Sequence, residues 1–401
     1  MTNYKYPLAA DTITEEDLNA LSDWLKSNPP PRLTMGPLVK QYEDKWSNWL
    51  GRKYSVSCST GSDANDLMYY TLLSSGLLKE KNMKVIVPSA AWVTSISPAI
   101  RFGFEPIMCD ADYDTWALSQ KHLRQLLEEH HPGTVTLVQV LGVPHNMDDL
   151  MELKRKYDFF LLEDACAAIG SSYHGQKVGT FGDMSSISTY YGHQTPTIEG
   201  GVVSTNNKDF RDLLLMLRSH GWVAHLEPET RSELLKKYEI EDIGTHFHFI
   251  EPGFNSRFTD LQAFLGLRQL DRFGWNIQKR FENHQLYKNL LADFFMTQVY
   301  DNKTVVCSIH FCALAANYKE RNVIVKTLEE AGIETRPFTS GNQGLQPYWF
   351  RKYGKFSASM ADKLYQCGFF LPNHPYLKKE DIGFICSVTI KTAQDFRKGE
   401  K

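Results

Sequence analysis

This chain lacks the features that place a protein in several specialised classes. None of its apolar runs approaches the roughly 18 residues that a membrane-spanning helix needs, and its first residues lack the basic and apolar regions of a signal peptide. Its 44 Lys and Arg residues are balanced by 47 Asp and Glu residues. No excess of positive charge therefore indicates a nucleic-acid or anionic-membrane partner, and we expect a cytoplasmic protein.

Metal and redox motifs are also missing. The seven cysteines are widely spaced and form no Cys-x-x-Cys pair. We therefore expect neither a zinc site nor a redox pair, and we expect the cysteines to be reduced thiols. His246 and His248 are two residues apart without an evident third ligand, and we expect no metal. The chain also has no Gly-x-Gly-x-x-Gly dinucleotide motif and no P-loop.

What the chain does have is an alternation of short apolar strands with helical segments. The predicted strands are 56–59, 84–87, 106–109, 134–140, 159–163, 187–190 and 201–204, and the helices between them include 63–73, 94–102, 120–129 and 148–156. This alternation predicts a mostly parallel, buried sheet, and such sheets bind ligands at the carboxyl ends of their strands.

A long helical stretch beginning near residue 260 has apolar residues at helical spacing. We expect it to lead from a large domain into a smaller one. The predicted division is an N-terminal segment at 1–30, a large cofactor-binding domain at 31–275 and a small C-terminal domain at 276–401.

Two short motifs have the chemistry of ligand contacts. Thr60-Gly61-Ser62 stands between a predicted strand and a predicted helix, where free backbone N–H groups bind phosphate well. Asp164 closes the apolar strand of LLEDACAAIG, so its carboxylate needs a partner or solvent. Taken alone, the first motif is a common turn and the second is a common helix N-cap.

Longer segments make these motifs specific. They are DMSSISTYYGHQTPTIEGG at 183–201, VPSAAWVTSISP at 87–98 and EPGFNSRFTDLQAFLG at 251–266. The chain resembles, over nearly its whole length, the DegT/DnrJ/EryC/StrS family of sugar-nucleotide aminotransferases, which use pyridoxal phosphate (PLP). The resemblance implies an α/β fold, the fold-type I PLP-dependent transferase fold of aspartate aminotransferase, with a mostly parallel central sheet and a smaller C-terminal α/β domain.

The resemblance also implies a role for individual residues. It assigns the cofactor phosphate to Gly61, Ser62, the backbone N–H of Asp63 and Ser188, the pyridine nitrogen to Asp164, and the ring face to Trp92. Asn255 would reach the phosphate of the neighbouring subunit, which implies a homodimer with shared sites. Arg257 and Arg336 are candidate substrate ligands. Two positions depart from the family: Asp63 brings a negative charge near the phosphate, and Ala167 replaces a Gln or His that lies near the phenolic oxygen.

The largest departure is a missing lysine. The family's Schiff-base lysine stands seven residues before the first glycine of the closing Gly-Gly, and here that position is His193. No lysine occurs between Lys177 and Lys208. An imidazole transfers protons near neutral pH but forms no covalent tether. The chain is therefore similar to the branch of the family that deoxygenates sugars at C3, with PLP and pyridoxamine phosphate (PMP) held noncovalently and His193 as the base.

This branch implies a 3-dehydratase acting on a nucleotide-linked 4-keto-6-deoxyhexose, with glutamate as the amino donor that converts PLP to PMP and is released as 2-oxoglutarate. A lysine would compete covalently for the cofactor and release an amino sugar, whereas His193 cannot. One subgroup carries an iron–sulfur cluster, which usually needs four thiolates. This chain has no cysteine between Cys166 and Cys307, so we expect no cluster.

Two alternatives remain open. The first is an aminotransferase that uses histidine as its base, which Ala167 argues against. The second is a catalytically silent homologue that binds a partner. The retention of Asp164, Trp92 and Ser188 argues against this second alternative, because a silent site has no reason to keep them.

Overall fold

A sheet of seven strands forms the centre of the computed structural model, which describes residues 4–80, 82–241, 247–338 and 341–399. The strands are β1 Tyr54–Cys58, β2 Lys84–Pro88, β3 Glu105–Cys109, β4 Thr134–Val138, β5 Phe160–Asp164, β6 Ser172–Tyr173, β7 Gln176–Lys177, β8 Met184–Ser188, β9 Gly201–Thr205, β10 His310–Leu314 and β11 Gly368–Pro372. The pairs β6–β7 and β10–β11 lie outside the central sheet.

The order of strands in the central sheet is β1-β9-β8-β5-β4-β2-β3. Strands β8, β5, β4, β2 and β3 are mutually parallel, whereas β9 runs antiparallel to both of its neighbours. The inner strands β4 and β8 are buried along their length, as is typical of a parallel sheet that is covered on both faces. The predicted mostly parallel sheet is confirmed.

Helices cover the sheet and build the rest of the chain. They are α1 Glu15–Leu25, α2 Pro37–Leu50, α3 Gly61–Ser74, α4 Ser97–Arg101, α5 Gln120–His130, α6 Met147–Tyr157, α7 Lys208–Leu217, α8 Pro228–Lys237, α9 Asp260–Leu291, α10 Tyr318–Glu330, α11 Pro347–Tyr353, α12 Ser359–Cys367 and α13 Lys379–Gly399. Helix α3 packs against β8 and β9, and α2 packs against β1 and α9. No helix in the described ranges is long and apolar enough to cross a membrane.

Two predicted elements were placed wrongly. The helix predicted at 94–102 is a short 3-10 turn followed by α4, with Pro98 near the start of that helix. The strand predicted at 187–190 is β8, which begins three residues earlier. The strand can bury serines because their hydroxyls find hydrogen-bond partners. Ser185 donates to Gly179 O, and Ser186 donates to the Asn65 side chain. A search for apolar residues misses a strand of this kind.

The C-terminal part has its own apolar core. The strands β10 and β11 pair antiparallel, and buried side chains of α9, α10 and α13, such as Tyr287, Ile324 and Ile385, pack with Phe311 and Phe369 of the two strands. Helix α9 is continuous through residue 275. The domain boundary near that residue stays a prediction.

The topology brings several strand ends to one edge of the sheet. Strands β2, β5 and β8 end at Pro88, Asp164 and Ser188. Because β9 is antiparallel, it begins at this same edge, where Gly201 pairs with both Ser188 and Cys58. The loop that carries His193 joins β8 to β9, and α3 starts just after β1. The predicted site residues on these segments therefore converge on this edge.

Candidate active site

A cavity of about 480 Å³ opens at this edge of the sheet. Most of the predicted site residues line it. They are Gly61, Ser62, Trp92, Asp164, Ser188, His193 and Arg336, and Ala167 lines it as well. Asp63, Asn255 and Arg257 are not among the lining residues.

One end of the cavity is formed by the first turn of α3. Thr60 is the N-cap of this helix, and the N–H groups of a first helical turn have no acceptor within the helix. A Cβ added to Gly61 would lie 2.5 Å from the Ser188 Cβ, so only glycine lets the turn pack this closely on the end of β8. The helix N-terminus and the hydroxyls of Ser62 and Ser188 form a set of donors suited to a phosphate dianion.

Asp63 serves the turn itself. Its backbone N–H donates to Thr60 Oγ1 at 3.0 Å, and its carboxylate accepts hydrogen bonds from the hydroxyls of Ser59 and Thr60. The carboxylate is thus tied to the helix cap outside the cavity lining. A phosphate contact from the Asp63 N–H stays a prediction.

Asp164 lies at the inner wall of the cavity, only 4% exposed. Its Oδ2 accepts hydrogen bonds from Asn65 Nδ2 at 2.9 Å and Ser95 Oγ at 2.6 Å, and its Oδ1 accepts one from the Cys166 N–H at 3.0 Å. These donors compensate the carboxylate for the water it has lost. The buried anion fits the protonated ring nitrogen of a pyridine.

Asn65 and Ser95 were missed in the sequence reading. Asn65 lies one helical turn after Gly61, and Ser95 lies three residues after Trp92. An asparagine on an otherwise buried, apolar face of α3 is a signal that something polar lies opposite. Sequence alone does not identify Asp164 as that group.

The neighbouring Glu163 has a structural function. Its carboxylate accepts hydrogen bonds from the backbone N–H groups of Gly179, Phe181 and Gly182 and from Gln139 Nε2. It is fully buried and holds the turn that leads into β8. Of the two acidic residues in the motif, only Asp164 faces the cavity.

His193 is half-buried, and its tautomer follows from one contact. The ring Nδ1 lies 2.6 Å from Cys166 O, and a carbonyl oxygen only accepts, so Nδ1 carries the hydrogen and Nε2 carries a lone pair. Burial lowers the pKa of the imidazole to about 4. The hydrogen bond to Cys166 and the charge of Asp164 oppose this shift, and Arg280 and Arg336 reinforce it. His193 is therefore a neutral imidazole at pH 7.

Aromatic and cationic side chains complete the cavity. Trp92 is 51% exposed and offers a ring face within the lining. The Arg336 guanidinium lies 5.2 Å from the centre of the Phe370 ring, and burial lowers its pKa. Arg336 and His193 also line an adjacent cavity of about 360 Å³.

Asn255 and Arg257 lie on a segment beside the start of α3. Arg257 forms an isolated β-bridge with Cys58, and Asn255 forms one with Ser219. The Ser59 N–H donates to Ser256 O at 3.0 Å, which ties this segment to the start of the turn. Asn255 is exposed and does not line the chain's own cavity.

Metal ligation has little support in the described ranges. They contain no group of three or more His, Cys, Asp or Glu side chains that is able to hold a metal ion. His246 lies outside the described residues, so the predicted absence of a metal at His246 and His248 is not tested.

The donors of the cavity fit a PLP-type cofactor. The first turn of α3 and the hydroxyls suit the phosphate, Asp164 suits the ring nitrogen, and Trp92 suits the ring face. His193 supplies a base where a covalent lysine is absent.

The chain is similar to known proteins over nearly its whole length. Residues 11–389 match the model of the DegT/DnrJ/EryC1/StrS aminotransferase family. The chain belongs to this family. A curated family member, the GDP-4-keto-6-deoxy-D-mannose 3-dehydratase of Yersinia pseudotuberculosis, is 32% identical over 340 residues, which cover 84% of this chain and 85% of the relative.

Solved structures of the family agree with this assignment. The E. coli GDP-4-keto-6-deoxy-D-mannose-3-dehydratase with bound hydrated PLP has a TM-score of 0.86 at 27% identity, covering 96% of this chain and 99% of that chain. A GDP-4-keto-6-deoxymannose-3-dehydratase with a trapped PLP-glutamate geminal diamine has a TM-score of 0.84 at 26% identity, covering 96% and 100%. The predicted family and its aminotransferase fold are confirmed.

Proposed function

We propose that this protein is a PLP- and PMP-dependent 3-dehydratase that removes the C3 oxygen of a nucleotide-linked 4-keto-6-deoxyhexose. The observation that carries the proposal is His193, a neutral imidazole at the family's lysine position in a segment without lysine. The relatives named above act on GDP-4-keto-6-deoxy-D-mannose, and we take this sugar nucleotide as the first substrate to test.

The residues of the cavity divide the work of holding the cofactor. The first turn of α3, with Ser62 and Ser188, binds the phosphate, and Trp92 covers one face of the ring. Asp164 keeps the proton on the ring nitrogen. When bound, the cofactor supplies an electron sink and an amine that reacts with the C4 ketone of the sugar.

His193 moves the proton. Its Nε2 accepts a proton from carbon, while the hydrogen bond from Nδ1 to Cys166 O keeps the ring in the correct tautomer. His193 then gives this proton to the C3 hydroxyl, which leaves as water. In the overall reaction glutamate supplies the two electrons, so each deoxygenated sugar is accompanied by one 2-oxoglutarate and one ammonia.

A sugar aminotransferase is the second candidate, because the family is named for that activity. It would release a 4-amino sugar and no ammonia. Ala167 lines the cavity and offers no hydrogen bond where the resemblance implies a Gln or His. This residue and the missing lysine favour the dehydratase.

The deciding experiment is a product analysis. Purified protein is incubated with PLP, glutamate and the GDP-, CDP- and dTDP-linked 4-keto-6-deoxy sugars, with glutamate omitted as the control. We expect ammonia release and a sugar product that has lost one oxygen by mass spectrometry. A product that has gained an amine assigns the second candidate, and no turnover with any sugar indicates the silent homologue.

Noncovalent cofactor binding gives a second prediction. Because the segment between Lys177 and Lys208 contains no lysine, borohydride treatment of the PLP-loaded protein is expected to leave the cofactor removable by denaturation and dialysis. Peptide mass spectrometry checks this. A phosphopyridoxyl group attached to a lysine that reaches the cavity would contradict it.

We further propose a homodimer in which Asn255 serves the neighbouring subunit's site. In support, Asn255 is exposed, lies beside the phosphate-binding turn and does not line its own cavity. A cytoplasmic location is also proposed, since all seven cysteines are free, as is usual in a reducing compartment.

Subunit mixing tests the shared site. His193→Asn and Asn255→Ala each impair a homodimer at cofactor concentrations that saturate only the wild type. If the site is shared, a mixed dimer has one site free of both changes, so random mixing is expected to restore about a quarter of wild-type activity. Mixed subunits that stay inactive, although they exchange, would show that Asn255 acts within its own subunit or not at all.

A further inference from the structure

A buried arginine without an anionic partner lies behind the proposed base. Arg280 of α9 is 2% exposed. Its Nε donates to Asn276 Oδ1 at 2.7 Å, and its Nη1 donates to the backbone oxygens of Ser308, Ile309 and Asn373 at 3.2, 3.3 and 2.8 Å. Among the described residues no carboxylate forms an ion pair with it. Burying a cation without an anion is costly, so this arrangement calls for a function.

The hydrogen bonds of Arg280 connect it, through Asn276, to the loop that carries His193. Asn276, one helical turn before Arg280, accepts from the guanidinium and donates through Nδ2 to Gln194 O at 2.7 Å. The Gln194 side chain in turn donates to Cys307 O at 2.9 Å. Gln194 directly follows His193. Both Gln194 and its partner Cys307 are fully buried. The chain of contacts therefore joins α9, the His193 loop and the segment entering β10.

The same contacts join two parts of the cavity wall. Ile309 lines the cavity on the side of the C-terminal part, and its backbone oxygen is held by Arg280. Asn373, after β11, donates to Ser308 O and Ser308 Oγ. Loss of these contacts would therefore uncouple the His193 loop from the Ile309 segment of the cavity wall.

We propose that Arg280 is a positioning residue that fixes the His193 loop through Asn276 and Gln194 and keeps an unneutralised positive charge behind the imidazole. The inference rests on the proposed function, in which His193 is the base. Arg280 itself is absent from the cavity lining and acts through its neighbours.

Several charged or titratable groups face His193 from the surrounding elements. They are Asp164 at the end of β5, Cys166 after it, Tyr190 in the same loop, His310 of β10, Arg280 of α9, and Arg336 before β11. Burial is the main cause of the low pKa of His193, and Arg280 adds to it. Loss of the Arg280 charge makes protonation of His193 easier. The pKa of His193 then rises. As the pH is lowered, the imidazole is therefore protonated, and stops acting as a base, at a higher pH than in the wild type.

A titration of His193 tests this without cofactor or substrate. Histidine-labelled protein is followed by NMR from pH 8 down to about one unit below the expected pKa of His193, and the His193 signal is assigned from its loss in His193→Asn. Arg280→Met is expected to raise the pKa of His193 by about one unit, the smaller end of the effect of a nearby charge. Lys279→Met is the matched control, since it removes a charge from an exposed residue of the same helix and is expected to cause no shift.

The kinetic readout separates positioning from general damage. Arg280→Met is expected to lower kcat about 10- to 100-fold, the scale of a misplaced catalytic group, with KM little changed and the acid limb of kcat/KM moved upward. Arg280→Lys keeps the positive charge but loses the forked guanidinium that makes several hydrogen bonds. We expect it to keep the acid limb of the wild-type kcat/KM profile while kcat falls. An Arg280→Met protein with wild-type kcat and an unshifted His193 titration overturns the proposal.

A second variant covers a folding failure of Arg280→Met. Asn276→Asp places a carboxylate against Arg280 Nε and removes the donor to Gln194 O, so it is expected to raise the pKa of His193 and lower kcat as well. An unchanged titration in this variant also overturns the inference. The proposed role of His193 and the proposed role of Arg280 are tested separately. Full activity in His193→Asn refutes the role of His193 as the base, whereas the NMR titration still reports whether Arg280 affects the pKa of His193.

Discussion

His193→Asn is expected to slow C3 deoxygenation about 100- to 10,000-fold, the usual cost of removing a positioned general base. Asparagine can still donate a hydrogen bond to Cys166 O, so the loop keeps its contact, but its amide takes no proton at neutral pH. PMP binding is expected to stay within a few-fold of wild type, because the residues proposed to bind the phosphate and the ring nitrogen are unchanged. Ammonia release and a fluorescence titration with PMP measure the two effects.

His193→Lys is the matched variant, because it restores the family's residue at the same position. We expect it to bind PLP covalently, with a shifted absorbance and a product fixed by borohydride, and to suppress deoxygenation. A gain of 4-amino sugar would show that the identity of this one side chain selects the outcome. If His193→Asn releases ammonia at the wild-type rate, His193 is not the base, whatever the lysine variant does.

The parts of this molecule that sequence predicts well are those fixed by local order. The strands that contain Asp164 and Val135 are almost entirely buried and are rich in apolar residues, which a search along the chain detects. His193 is recognised by its place in a continuous segment, since it stands seven residues before the first glycine of a glycine pair. Such features depend on neighbours along the chain, and a single sequence contains them.

What sequence does not show are partners brought together by the fold. Asn65 and Ser95 reach Asp164 from 99 and 69 residues away, and Arg280 reaches Asn373 from 93 residues away. Each is a polar residue inside a helix or loop, and its local pattern does not identify the partner that it contacts. Their functions depend on buried hydrogen bonds, which only the three-dimensional arrangement defines.

Asp164→Asn gives the second large effect. The change keeps the shape of the side chain but removes the charge that retains a proton on the ring nitrogen, so the electron sink is weakened. A hydrogen bond to a charged group contributes about 1.5–3 kcal/mol, and at about 1.4 kcal/mol per factor of ten this corresponds to a loss of about 10- to 150-fold in cofactor affinity. Turnover at saturating cofactor is expected to fall further.

The contacts of Asp164 allow a graded control. Asn65, Ser95 and the Cys166 N–H all donate to its two oxygens. An asparagine offers only one oxygen, so at least one donor is left facing an NH₂ group. Ser95→Ala removes a single donor and keeps the carboxylate, and its cost of about 1 kcal/mol corresponds to a loss of only a few-fold. Equilibrium dialysis with PMP ranks the variants. If Asp164→Asn binds PMP and turns over as well as Ser95→Ala does, Asp164 is a structural anion and the ring nitrogen has another partner.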